Sequence, residues 1–222
     1  MALNKTLRPG LIQMRVLDLD QTLDFYTNIL GLNEVGRTED GRVMLKGYDE
    51  FDHHSVTLRL ADEAGLDYVA FKVDSPETLE SLKDATEAFG YPVDEVPANT
   101  NQPGFGKRYG FTICTGHRIE LYADVEKAEQ VPMTHNPHPW VEAPRGMRAQ
   151  RFDHCLLYGP NIAEAERYFT EVLGMFAPEV CNTPEGNRFA TWLTSGNKAH
   201  DIAFVEYEKP GKIHHMAFLL QD

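Results

Sequence analysis

The chain has 222 residues, 42% hydrophobic and 25% charged, with a formal charge of -13 from 34 acidic and 21 basic residues. This length allows one large domain or two small ones, the acidic balance disfavours nucleic-acid backbone and anionic membrane as partners, and no apolar run approaches the ~20 residues of a membrane span. The N-terminus "MALNKTLRPGLIQ" lacks the apolar core of a signal peptide, and Cys114, Cys155 and Cys181 form no CxxC, so a cytoplasmic protein without a disulfide framework is expected.

The first predicted element is a strand at "LIQMRVLD", Leu11 to Asp18. Leu19, Leu23, Tyr26 and Leu30 then recur at helical spacing and predict a buried stripe, closed at Gly31, which can take a positive φ without steric cost. A hairpin is expected around Gly41 and a third strand at "SVTLRLA". The same β-α-β-β-β order follows again. "LDYVAFKVD" reads as a strand, and "SPETLESLKDATEAFG" as a helix with Ser75 at the cap and Pro76 in the first turn. The strands "YPVDEVP", "KRYGFTICTG" and "HRIELYAD" complete the unit. Two units make a first domain over residues 6–124. The stretch 125–150 holds Pro132, Pro137, Pro139 and Pro144 without a period and reads as a linker.

A second domain, 151–222, opens with a third unit at an offset of 143 from the first, which pairs Tyr26 with Phe169, Thr27 with Thr170, Leu30 with Leu173 and Gly31 with Gly174. Its strand is "HCLLYGPN", its helix ends in "RYFTEVLGM", its hairpin turns near Gly186, and "DIAFVEY" is its third strand. The final run "HHMAFLL" aligns with "DYVAFKV", Phe71 to Phe218, and opens a fourth unit. The fold class expected is α+β, built of repeated βαβββ modules in two domains. The second domain is read as incomplete, one module plus one strand, by truncation of a four-module protein. A natural short variant and a chain completed by another copy are the alternatives. Met216, Phe218 and Leu220 are then expected to be uncovered.

The repeat also sorts the nine histidines. His154 stands opposite Leu11 of the first half, and His215 opposite Tyr68. One half has histidines at the openings of two strands and the other has neither, which points to a metal site in one domain only. Strand alternation puts Phe152, His154, Leu156 and Tyr158 on one face. It puts Ile213, His215, Ala217 and Leu219 on one face of the last strand and His214 on the other, without choosing which histidine faces the site. His53 and His54 read as exposed, and His135 and His138 belong to the linker. Trp192, ahead of His200, fits either a substrate pocket or a plain core.

"RPGLIQMRVLDL", "GRVMLKGYDE", "IELYAD", "RFDHCLLYG", "KAHDIAF" and "IHHMAFLL" occur in order at compatible spacing. With these motifs the chain resembles the vicinal oxygen chelate superfamily and, within it, extradiol ring-cleaving dioxygenases of the catechol 2,3-dioxygenase type. The resemblance implies a mononuclear Fe(II) held by two histidines and one glutamate, here His154 and His215. It implies that His200 is an active-site residue and not a ligand. It implies catechol and O2 as substrates, 2-hydroxymuconic semialdehyde as product, and a homo-oligomer, a tetramer. Two histidines and a carboxylate suit this chemistry because they leave open metal positions for substrate and oxygen. Glu120 lies 52 positions after Tyr68, and the same step from His215 lands near position 267, beyond Asp222. The third ligand is therefore expected outside these 222 residues, the chain by itself is expected to be poorly active, and Glu120 reads as structural. A small-molecule-binding relative and an inert fragment of the enzyme are the competing readings.

Overall fold

The computed structural model describes residues 5–129 and 145–220; the linker prolines, His135 and His138 lie outside the described residues. The first module runs β1 (Thr6–Val16), α1 (Leu19–Asp24), β2 (Asn33–Arg37), β3 (Val43–Lys46) and β4 (Val56–Leu60). The second runs β5 (Gly65–Val73), α2 (Pro76–Phe89), β6 (Asp94–Val96), β7 (Arg108–Thr112) and β8 (Arg118–Tyr122). The third runs β9 (Ala149–Gly159), α3 (Ile162–Glu171), β10 (Phe176–Asn182), β11 (Arg188–Thr194) and β12 (Ile202–Glu206), and β13 (Lys212–Leu220) follows. This is the mixed α+β architecture of repeated βαβββ modules that the sequence predicts. β9 starts two residues ahead of the expected boundary.

Local chemistry sets the helix ends. The Ser75 hydroxyl accepts the Thr78 N–H at 3.1 Å, and Gly90 at φ +118° donates its N–H back to Glu87 and Thr86. α1 is short and runs into a π-helical turn, Phe25–Ile29, which the Leu30 N–H closes on the Phe25 carbonyl at 3.0 Å. Its predicted stripe of Leu19, Leu23, Tyr26 and Leu30 packs, partly buried, on the core.

The first sheet has the order β2-β3-β4-β1-β5-β8-β7-β6, and the second β10-β11-β12-β9-β13. The second sheet thus repeats the first five positions of the first. Registers agree as well. Leu11 pairs with Ala70 and Gln13 with Tyr68, as His154 pairs with Ala217 and Leu156 with His215. Period-2 alternation divides each sheet into a core face and an opposite face. On the core face, Ile12, Val69, Phe71, Ile119 and Leu121 join Cys155, Leu157, Ile202 and Phe204 in one buried cluster that spans both sheets.

The helices stitch the sheets together. The Tyr168 hydroxyl of α3 meets the Thr86 hydroxyl of α2 at 2.8 Å. Phe169 packs edge-on against Phe71 at 5.7 Å, and Tyr26 against Phe218 at 6.4 Å. The repeat pairs Tyr26 with Phe169 and Phe71 with Phe218, so these are one contact made twice. Met216 and Phe218 are therefore packed on the core, contrary to expectation, while Leu220 is exposed. All three cysteines are free, with Cys155 buried and Cys181 exposed.

Candidate metal centre

On the outward face of the second sheet three imidazoles converge. The His154 and His200 ring centroids lie 4.2 Å apart, and those of His154 and His215 lie 5.4 Å apart with planes at 82°. β9 delivers His154, β13 delivers His215, and the loop entering β12 delivers His200. Trp192, Ala203, Leu156 and His215 form one cross-strand row, so Trp192 shares their face two strands from His154. The structure thus brings His154, His200 and His215 together, whereas Trp192 shares only their side of the sheet.

The route to this arrangement differs from simple alternation. β9 carries one residue more than its partner between Phe152 and His154, and β13 one more between Ile213 and His215. The extra residues, Asp153 and His214, are β-bulges, which re-aim the side chains around them. Phe152 consequently lies in the core with Cys155 and Leu157, away from His154, and Ile213 packs on the core, away from His215. His214 sits against Tyr158, ring centroids 5.2 Å apart, and against His215 at 4.9 Å. The expected separation of His214 and His215 onto opposite faces does not occur.

The surroundings are charged. Asp153 accepts from His154 Nδ1 at 2.7 Å and pairs with Lys198 at 3.0 Å, and Lys198 also reaches Asp201 at 3.0 Å. The hydrogen bond from His154, with Lys198 beside it, holds the Asp153 carboxyl down at about 2 despite partial burial. Burial, reinforced by the neighbouring His154, lowers His200 to about 4, and the same two causes lower His215. Both imidazoles are therefore neutral near pH 7 and retain a lone pair for a metal or a proton.

Do these residues fit a metal? Nδ1 of His154 is engaged by Asp153 and Nδ1 of His215 by His214, which leaves Nε2 of each available. The pair fits two positions of a two-histidine-one-carboxylate centre. Among the described residues no group of three or more His, Cys, Asp or Glu side chains is placed to hold an ion. Glu120 is remote from the pair. It is buried in the other sheet, with Arg108 Nε at 2.8 Å and Arg118 Nε at 3.0 Å.

That other sheet contains what sequence reading missed. His54, expected to be exposed, is fully buried. It precedes β4 as His200 precedes β12; in each case the next residue's N–H bonds back to the neighbouring strand, Ser55 to Leu45 and Asp201 to Leu193. His54 is thus the counterpart of His200, and the alignment of "HSVTL" with "HDIAF" is the signal that would have found it. Here Gln102 takes the centre. Its amide donates to Gln13 at 2.7 Å and to the Tyr68 hydroxyl at 2.6 Å. Its carbonyl meets the Thr57 hydroxyl at 2.9 Å and His54 Nε2 at 2.6 Å.

Residues 66–126 match the catechol 2,3-dioxygenase-like N-terminal domain, and residues 151–222 match the glyoxalase/bleomycin resistance protein/dioxygenase superfamily. A metapyrocatechase from Pseudomonas sp. (strain CF600) is 42% identical over 216 residues, covering 97% of this chain and 70% of that protein. The crystal structure of the 2,3-dioxygenase LapB from Pseudomonas sp. KL28 superposes with a TM-score of 0.93 at 44% identity, over all of this chain and 77% of that one. A manganese-dependent 2,3-dihydroxybiphenyl 1,2-dioxygenase from Geobacillus genomosp. 3 is 25% identical, covering 96% of this chain and 68% of its own length.

Proposed function

The chain belongs to the metapyrocatechase family of extradiol dioxygenases, and from that premise we propose that it serves the meta cleavage of catechols by O2 to 2-hydroxymuconic semialdehydes, in aromatic catabolism. The observation that carries this reading is the convergence of His154, His200 and His215 on one face. In this reading residues 6–124 form the metal-free domain, 125–150 the linker, and 151–222 belong to the metal-site domain.

His154 and His215 would hold the metal through Nε2, with a carboxylate completing the set. The metal proposed is Fe(II), although a relative is named for manganese. When bound, such a metal would supply a Lewis-acidic centre that eases deprotonation of the catechol. The chain's own residues supply the remainder. His200, beside His154, would offer its lone pair to a catechol hydroxyl and relay a proton between substrate and product. Trp192 and Leu156, in the same cross-strand row as His215, offer an apolar wall for the ring. No described helix is long and apolar enough to cross a membrane. A cytoplasmic homo-oligomer, a tetramer, completes the proposal.

The test is anaerobic loading with Fe(II) or Mn(II), followed by catechol and O2, with ring opening read from the yellow product. Fe(II)-dependent product that disappears in His154→Ala and in His215→Ala supports the reading. Product formation undiminished by both substitutions sinks it.

A further inference from the structure

The first sheet carries bulges at the same places as the second. Gly10 is the extra residue of β1 between Pro9 and Leu11, and Asp67 the extra residue of β5 between Leu66 and Tyr68. They correspond by the repeat to Asp153 and His214. The backbone device is therefore common to both halves, and only the side chains on it differ. In an unbroken strand neighbouring side chains point to opposite faces. Asp153 could not then reach His154, nor His214 reach His215. The extra residue turns each onto the face of the histidine that follows it.

We infer that Asp153 and His214 are positioning residues for the metal: each bulge side chain engages Nδ1 of the next residue, so that His154 and His215 both present Nε2 to one ion. This rests on the metal reading above. The Asp153 carboxylate accepts the His154 Nδ1–H at 2.7 Å. Its other oxygen is anchored by Lys198 at 3.0 Å, and Lys198 is held in turn by Asp201 at 3.0 Å. Nδ1 of His214 lies 2.6 Å from Nδ1 of His215. Two ring nitrogens that close require a proton on one of them. With His215 as the donor, its lone pair is left on Nε2. An imidazole has one lone pair when neutral, so an acceptor at Nδ1 fixes which nitrogen can bind the metal, and fixes the ring plane as well. The first sheet shows the device without this use. A Cβ on Gly10 would stand 1.9 Å from the Tyr122 hydroxyl, and Asp67 bonds Gln13 and Arg59.

The experiment is anaerobic competition for Fe(II) between the purified protein and a chromophoric chelator, beside ¹⁵N NMR of the histidine tautomers in the metal-free protein. Asp153→Ala and His214→Ala should each weaken Fe(II) binding by ~10- to 100-fold. The Nδ1–H tautomer of the following histidine should give way to a mixture. Asp153→Asn and His214→Gln keep an acceptor and should restore most of the affinity. Unchanged metal-free thermal midpoints separate these effects from misfolding. Affinity and tautomers unchanged in both alanine variants, while His154→Ala and His215→Ala release the metal, overturns this inference and leaves the metal centre standing. Affinity retained by His154→Ala and His215→Ala overturns both.

Discussion

The two sheets share strand order, register and bulge positions, yet one is closed chemically and the other is open. Where the second sheet gathers His154, His200 and His215, the first has Leu11, His54 and Tyr68, with Gln102 saturating the polar groups between them. Four hydrogen bonds on a buried amide leave nothing for a ligand to claim. Where a third metal ligand would be expected by the repeat, the first sheet holds Glu120 in a buried pair with Arg108. A module's backbone therefore does not make it a site. Unsatisfied nitrogens on an open face do, and satisfied groups under a loop turn the same scaffold into structural support.

The sharpest way to break this contrast is at Glu120. Glu120→Ala leaves Arg108 buried and uncompensated, and should cost about 3–5 kcal/mol in urea unfolding. Metal affinity at the other sheet should not change. A loss of metal with little loss of stability would show that the first sheet is not mere support.

Comparable in size is the response to acid. Burial holds His54 at about 3 and His117 at about 4, against 6.5 in an unfolded chain. His117 also bonds the Lys212 carbonyl at 3.0 Å and so ties the first sheet to β13. Below pH 6.5 the unfolded chain takes up protons that the folded chain refuses. Stability should thus be full above pH 6.5 and fall as pH drops towards 4, by up to about 1.4 kcal/mol per pH unit for each histidine. Urea midpoints measured from pH 7 to pH 4.5 check this. The slope should be shallower in His54→Gln and in His117→Gln, whereas a slope identical to the parent's would remove these groups from the account.

Smaller effects separate the two bulges. Gly10→Ala forces a methyl into the Tyr122 hydroxyl and should cost about 1–3 kcal/mol in thermal unfolding. Asp153→Ala at the matching position should cost less, because the fold already accommodates a Cβ there and the bonds lost, to His154 and Lys198, are partly exposed. Smallest of all is Tyr122→Phe. The Tyr122 hydroxyl is buried without a hydrogen-bond partner among the described residues. Its removal should be neutral or stabilising, and a loss of stability would reveal a partner for it.

Local pattern and internal repetition were enough to place the modules, the cap of α2, the positive-φ glycines Gly31 and Gly174, and the histidine pair on β9 and β13, although both histidines lie inside their strands and not at the openings expected of them. Those features depend on residues close in sequence, or on one segment echoing another, and a linear reading carries both. Tertiary structure decided which face each side chain takes. The bulges at Asp153 and His214 exist only in the pairing of β9 with β13, and a single inserted residue reverses the alternation on which a strand reading depends. The burial of His54 was likewise invisible locally, because Gln102 and Phe105, which enclose it, come from a loop about fifty residues further along the chain. Met216 and Phe218 read as uncovered because their cover, Tyr26, lies some 190 positions away. Side-chain periodicity is a property of the strand; exposure is a property of what the rest of the chain brings to it.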